Sequence, residues 1–185
     1  MPTYVALLRG INVSGQKLIK MAELQAHFQK FGATKVRTYI QSGNVVFEHR
    51  ARTPASLRPQ LERFLESRLG HAVPTLVKSA RELAAIVKAN PYDTGWPEFG
   101  KKMYVCFFAK APTAAALQGI QPLLSEAERL VVKGVAGYAY YQEGLGRAKL
   151  SSALLERKLG LATLRNWNTV TALLEMIETG TGTGS

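Results

Sequence analysis

The chain is poor in the side chains from which most familiar active sites are built. Its 185 residues include one aspartate, Asp93, one cysteine, Cys106, and three histidines, His27, His49 and His71. A single cysteine excludes an internal disulfide framework and fits a reducing compartment. The histidines are far apart, and none stands at metal-ligand spacing with a second His or Cys. With one aspartate and scattered glutamates, nothing supplies the clustered hard oxygens that magnesium-dependent phosphoryl chemistry needs. Gly-x-Ser-x-Gly, Walker-type and His-Glu-x-x-His motifs are missing. No apolar run approaches the roughly 20 residues of a bilayer span. Met1-Pro2-Thr3-Tyr4 lacks the basic start of a secretory signal. The expectation is a cytoplasmic protein without metal, cofactor or membrane partner.

Positive charge is abundant: 24 Lys plus Arg stand against 13 Asp plus Glu, for +11 overall. Residues 1–74 carry 11 basic and 4 acidic side chains, residues 75–185 carry 13 and 9. Such a field concentrates anions, whether phosphates, nucleotides or nucleic acid, although it serves solubility equally well. A hydrophobic content of 46% is ample for a buried core.

Tyr4 to Leu8 is almost wholly apolar, the pattern of a central strand covered on both faces. The loop Arg9-Gly10-Ile11-Asn12-Val13-Ser14-Gly15 follows, then a helix marked by Met21, Leu24, Phe28 and Phe31 and stopped at Gly32. Val36–Ile40 and Val45–Glu48 read as hairpin arms around Gln41-Ser42-Gly43-Asn44, with Arg37 and Tyr39 on one face and Val36, Thr38 and Ile40 on the other. Leu57, Leu61, Phe64, Leu65 and Leu69 mark a second helix, starting at Thr53-Pro54 or nearer Pro59. Pro74–Lys78 is a short strand. This βαββαβ order predicts a ferredoxin-like half over residues 1–78, its helices on one sheet face and the other face open.

Residues 79–178 repeat the plan less cleanly. Ser79 and Glu82 form a capping box for a helix stopped by Asn90-Pro91. A Gly- and Pro-bearing connector spans Tyr92–Lys101. Lys102–Phe108 reads as a strand and Pro112–Leu124 as a helix interrupted at Gly119. Leu130–Lys133 and Tyr138–Gln142 are hairpin arms. Leu150, Leu154, Leu155 and Leu159 line one helix, and Val170, Leu173, Leu174 and Ile177 an extra terminal one. Thr179 to Ser185 is a frayed tail. The predicted fold class is therefore α+β, tandem ferredoxin-like halves with mostly antiparallel sheets.

Four segments set polar residues beside apolar ones. The first contributes Arg9 and Asn12, at the end of a central strand. The second is the hairpin, with Arg37, Tyr39, Gln41 and Asn44, where turn chemistry accounts for the asparagine equally well. The third is Gly144-Leu145-Gly146-Arg147-Ala148-Lys149, whose free N–H groups at a helix start, with Arg147 and Lys149, suit a phosphate or carboxylate. An ordinary connector with solvated charges has the same composition. In the fourth, Thr163 to Thr169, Asn166 or Asn168 suits a helix cap. There Arg165 and Trp167 offer an ion-pairing fork and a stacking face, or core packing. His27 reads as surface or half-buried and Cys106 as core.

Tyr4–Val13, Met21, Arg37–Phe47, Asn90-Pro91 and Ala162–Val170 together resemble the bacterial family catalogued as domain of unknown function 1697. The likeness runs from about Tyr4 to Ile177. It implies a cytosolic α+β protein with ferredoxin-like halves, and supplies no activity. One departure is Ala148, where the resemblance leads one to expect Ser or Thr between the Arg and Lys of the basic loop. Three functions compete. The first is binding of a phosphate-bearing or other anionic ligand, a nucleotide or nucleic acid, in a basic cleft with aromatic walls lined by Arg9, Arg37, Tyr39, Lys149, Arg165 and Trp167, the other polar residues of the four segments completing the ligand-binding set. The second is a metal-independent enzyme on an anionic small molecule, with Tyr39 or Lys149 moving a proton. The third is an interaction or scaffold protein bearing an exposed apolar patch. The first accounts best for the excess of basic side chains. Its sharper version, RNA on an open sheet, needs aromatics at alternating places in the third strand, and Asn44–Glu48 has one.

Overall fold

A strand made only of Tyr, Val, Ala and Leu has no side suited to water. In the computed structural model, which describes residues 1–12 and 18–180, β1 (Thr3–Leu8) duly lies between two antiparallel neighbours with Tyr4 to Leu8 all buried. Val13 to Gly15 of the expected loop and residues 181–185 of the expected tail lie outside the described residues. The chain divides into two compact units, Met1–Ala85 with Ala172–Ser185, and Ile86–Thr171.

In the first unit α1 (Met21–Lys30) buries Leu24 and Phe28, and Gly32, at φ 96°, turns the chain out of it. Next come β2 (Thr34–Tyr39) and β3 (Asn44–Glu48), with a register shift between Thr34 and Arg37 where Lys35 adopts φ 48°. Helix α2 (Pro54–Leu69) takes the earlier of its two expected starts. Thr53 Oγ1 accepts from Ser56 N–H, Pro54 occupies the first turn, and Pro59 is carried inside the helix. After β4 (Thr75–Ser79), the expected box opens α3 (Ala80–Lys88). Ser79 N–H donates to the Glu82 carboxylate at 2.7 Å, and Glu82 N–H donates to Ser79 Oγ at 3.2 Å. The sheet order is β2-β3-β1-β4, antiparallel throughout.

Tyr4, Ala6, Leu8, Val45, Phe47 and Val77 form one sheet face and pack with Leu24, Phe28, Leu57, Leu61 and Leu65. The opposite face departs from expectation, because it is closed. Val5, Leu7 and Val46, which point that way, are fully buried. Aliphatic residues on both faces of β1 and β3 leave no face to be wetted. Arg37, Val46, Val5 and Lys78 form one row across it, and Lys78 is buried. Burial pushes its ammonium pKa down, opposed by the nearby Glu82 carboxylate.

The hairpin also differs at one residue. Ile40 leaves the strand, adopts φ 48° and stands 54% exposed, so the turn begins one residue early. A β-branched residue in that region is strained. Asn44 closes the turn from within: buried, it donates to Tyr39 C=O at 3.2 Å and to Ser42 Oγ at 2.7 Å.

The second unit contains α4 (Phe99–Lys102), β5 (Met103–Phe108), α5 (Ala114–Ile120), a 3₁₀ turn Gln121–Leu123, β6 (Glu128–Lys133), β7 (Ala136–Tyr141), α6 (Ser152–Leu159) and β8 (Ala162–Asn166). Helix α7 (Trp167–Thr179) follows. Strand β8 was not expected, since its polar end runs straight into α7. It supplies the fourth strand of the order β6-β7-β5-β8, again antiparallel. Cys106, Phe108, Leu130, Ala139 and Tyr141 pack with Ile120, Leu150, Leu155 and Leu159. Burial drives the Cys106 thiol pKa far up. Met103, Val105, Phe107 and Tyr138 are buried on the other face, where the Tyr138 hydroxyl donates to Ile86 C=O at 2.6 Å.

The fold is thus α+β, with two four-stranded antiparallel sheets and seven α-helices among the described residues. Among those residues no helix is long and apolar enough to cross a membrane.

Candidate functional site

In the first unit the loop after β1 and the hairpin tip meet. The Asn12 carboxamide donates to Ile19 C=O and Gln41 C=O, each at 3.0 Å, and accepts from Ile19 N–H at 2.8 Å. Leu8 N–H reaches Gly43 C=O at 2.8 Å, and Arg9 N–H reaches Pro74 C=O at 2.9 Å. Gly43 sits so close that a Cβ would lie 2.8 Å from Ile11 Cδ1. Asn12 therefore spends its amide on backbone, and Asn44 spends its own on the Tyr39 carbonyl and the Ser42 hydroxyl. Gln41 is exposed and Tyr39 half-buried. Arg37 sends a guanidinium N–H to Met176 C=O at 2.6 Å, near the C-terminal end of α7, where the helix dipole favours a cation. Its Nε is buried without a hydrogen-bond partner among the described residues.

In the second unit the basic loop is built around the protein's own anion. Glu128, buried at the start of β6, accepts from Ser125 N–H at 2.8 Å and from Leu150 N–H at 3.0 Å, on different oxygens. Burial raises its pKa, but hydrogen bonds from Ser125, Leu150 and Lys149 outweigh that and hold the carboxyl below its ordinary value. The Leu150 N–H at the end of the basic loop thus faces a carboxylate 22 residues upstream. Arg147 and Lys149 project from this loop as exposed side chains.

The fourth segment frames a different site. Asn166 donates to Lys101 C=O at 3.1 Å and accepts from Asn168 N–H at 3.1 Å, so it both caps α7 and pins the connector that precedes β5. Arg165 donates to Thr163 Oγ1 at 2.7 Å and to Leu164 C=O at 3.0 Å, and burial lowers its pKa to about 10. Trp167 is buried against Phe99, ring centroids 5.7 Å apart and nearly perpendicular. Phe99 in turn meets Trp96 and Tyr140, each at 6.4 Å.

Trp96 and Tyr140 are the outer members of this aromatic stack, and they border a surface cleft of about 390 Å³. Its floor follows from strand alternation. Tyr140 and Gln142 are two residues apart and share a face, roughly 7 Å from Cα to Cα. Arg129 on β6 stands directly opposite Tyr140, and Gln142 N–H donates to Ala127 C=O at 2.9 Å. The small Ala127 leaves the space that the cleft occupies. Trp96 and Lys102 form the wall. Trp96 is 36% exposed and meets Tyr140 at 5.0 Å with the rings at 76°, a floor and an upright. Glu98, at φ 54°, holds Lys102 at 3.2 Å. The Arg129 guanidinium is set by Glu126 C=O at 2.6 Å and Glu128 C=O at 3.0 Å.

None of the cleft's side chains belongs to the four segments selected from sequence. Trp167 and Asn166 support it from behind, by packing and by hydrogen bonding. Three aromatic residues, Tyr92, Trp96 and Phe99, within a Gly- and Pro-bearing connector are its signal in the sequence. The alternating aromatics missing from β3 do occur on β7, as Tyr138 and Tyr140, but Tyr138 is sealed beneath α3, leaving one open ring. Among the described residues, no group of three or more His, Cys, Asp or Glu side chains is arranged to hold a metal ion.

Comparison with known proteins gives a family and a fold. The family described as a protein of unknown function, DUF1697, matches residues 1–138, and the chain belongs to it. A solved structure, that of a conserved bacterial protein from Streptococcus pneumoniae, is similar over 95% of this chain and 98% of its own, with a TM-score of 0.75 at 23% identity. That likeness concerns the fold alone. No curated protein matches the chain.

Proposed function

We propose that the protein binds a phosphate-bearing planar ligand of the nucleotide kind in the Trp96–Tyr140 cleft. The reading includes a cytoplasmic setting, consistent with one deeply buried thiol, and a scaffold of two ferredoxin-like halves. Both sheets support the scaffold: numbered within each half, their strands follow the same order, 2-3-1-4. The observation that carries the function is the meeting of two aromatic faces with two cations around one cleft. A planar ring stacked on Tyr140 meets the upright Trp96 edge to face, while Arg129 and Lys102 meet the phosphate. Arg129 is already oriented by two carbonyls, so little side-chain freedom is lost when it takes up an anion. The +11 net charge adds long-range attraction.

Calorimetric titration of the full chain with nucleoside monophosphates at low salt tests this. Arg129→Ala is expected to weaken binding roughly tenfold, the loss of about 1.5 kcal/mol for one charge-assisted hydrogen bond. Trp96→Ala is expected to weaken it similarly, and added salt to weaken it progressively. No heat and no Trp quenching across the panel would dispose of the proposal, as would full affinity in both variants.

A further inference from the structure

Resting on that reading, we infer that the cleft recognises the edge of a nucleobase, with Gln142 as the residue that reads it. Aromatic faces and cations alone do not distinguish a nucleobase from any aryl group carrying a phosphate. Gln142 does. Its carboxamide carries a donor pair and an acceptor side by side, the complement of the adjacent donor and acceptor on a base edge. It lies on the same face as Tyr140 and two residues further along, so a ring stacked on Tyr140 presents its edge towards it. Among the described residues the carboxamide makes no internal hydrogen bond, and the residue is exposed at the rim of the cleft. Arg129, across from Tyr140 on the neighbouring strand, then addresses the opposite, phosphate-bearing end of the ligand.

The same geometry limits the ligand to one base. Successive bases on a sheet need successive open rings. Here Tyr138, the next ring along β7 on that face, is 1% exposed with its hydroxyl bonded to Ile86 C=O. A cleft of about 390 Å³ also falls at the lower end of small-ligand sites, which run from roughly 300 to 1,000 Å³. The ligand class is therefore a free mononucleotide.

The test compares AMP with phenyl phosphate, which shares the aromatic ring and the phosphate but has no hydrogen-bonding edge. On the wild-type chain, AMP is expected to bind about tenfold more tightly, within the range of one bidentate side-chain pair to a base. Gln142→Leu is expected to bring that ratio to about one, and Gln142→Asn, which keeps the chemistry on a shorter arm, to restore part of it. Circular dichroism and thermal melting guard against misfolding of these exposed-site variants. A wild-type ratio near one, or an unchanged ratio in Gln142→Leu, would overturn base recognition while leaving the cleft's anion binding intact. Failure of both probes to bind would instead remove the underlying reading and this inference with it. An adenine octanucleotide that binds more than tenfold better than AMP would overturn the restriction to one base.

Discussion

Replacing Glu128 by glutamine changes one atom in the second unit and removes an internal anion. The wild-type carboxylate presents one oxygen to Ser125 N–H at 2.8 Å and the other to Leu150 N–H at 3.0 Å. Glutamine has one acceptor oxygen and an NH₂ in place of the other. One backbone donor then faces a donor, and the other hydrogen bond loses its charge. Stranding a buried donor costs about 1–3 kcal/mol, and exchanging a charge-assisted for a neutral hydrogen bond about 1 kcal/mol, so Glu128→Gln is expected to destabilise by about 3 kcal/mol. Urea unfolding near neutral pH reads this as a fall in midpoint at constant slope. The pH dependence is a second, independent readout. Because folding holds the Glu128 pKa below the ordinary 4.5, the wild type gains stability from this group above that pH and loses it as pH falls through the folded value. Glutamine does not titrate, so the gap between the two proteins should be full near pH 7 and narrow below about pH 4.5. A midpoint change worth less than about 0.5 kcal/mol, or a gap constant into acid, would show that the basic loop does not depend on this carboxylate.

Gly43→Ala should destabilise by roughly 2–4 kcal/mol, because the new Cβ would sit 2.8 Å from Ile11 Cδ1 and 2.9 Å from Leu8 Cβ at φ 72°. Thermal melting reads it, and a shift of under about 2 °C would contradict the close approach. Lys78→Met should stabilise the chain near pH 7. Burial lowers the Lys78 pKa, so the charged form opposes folding below that pKa, and the penalty disappears as pH rises towards 10.5. The urea midpoints of the two proteins should differ near pH 7 and converge at alkaline pH, and an Lys78→Met variant less stable at both would show that the ammonium has a compensating partner.

What could be read from the sequence was what local chemistry decides. An all-apolar Tyr4–Leu8 had to be a buried strand, and Ser79 with Glu82 had to open a helix, because each outcome depends on neighbours a few residues away. Long-range pairing was less legible. Five-residue β8 ends in Arg165 and Asn166 and has no turn before α7, so nothing local announces it until β5 offers an edge. Ile40 carries the composition of a strand, yet the Asn12 and Asn44 contacts pull the turn back over it. The basic loop was recognisable as a place where backbone N–H groups meet a negative charge. That the charge is Glu128 depends on the fold returning that strand alongside the loop. Trp96 was hidden for the same reason: its importance comes from Tyr140, Arg129 and Gln142, which lie 33 to 46 positions away and reach it only through sheet pairing.

The solitary sulfur at the middle of β5 gives this molecule an internal clock. A thiol reagent cannot touch Cys106 while the second sheet is closed, and no other sulfhydryl competes for the reagent. The rate at which it is tagged therefore times the excursions in which that sheet comes apart, without any label having to be engineered in.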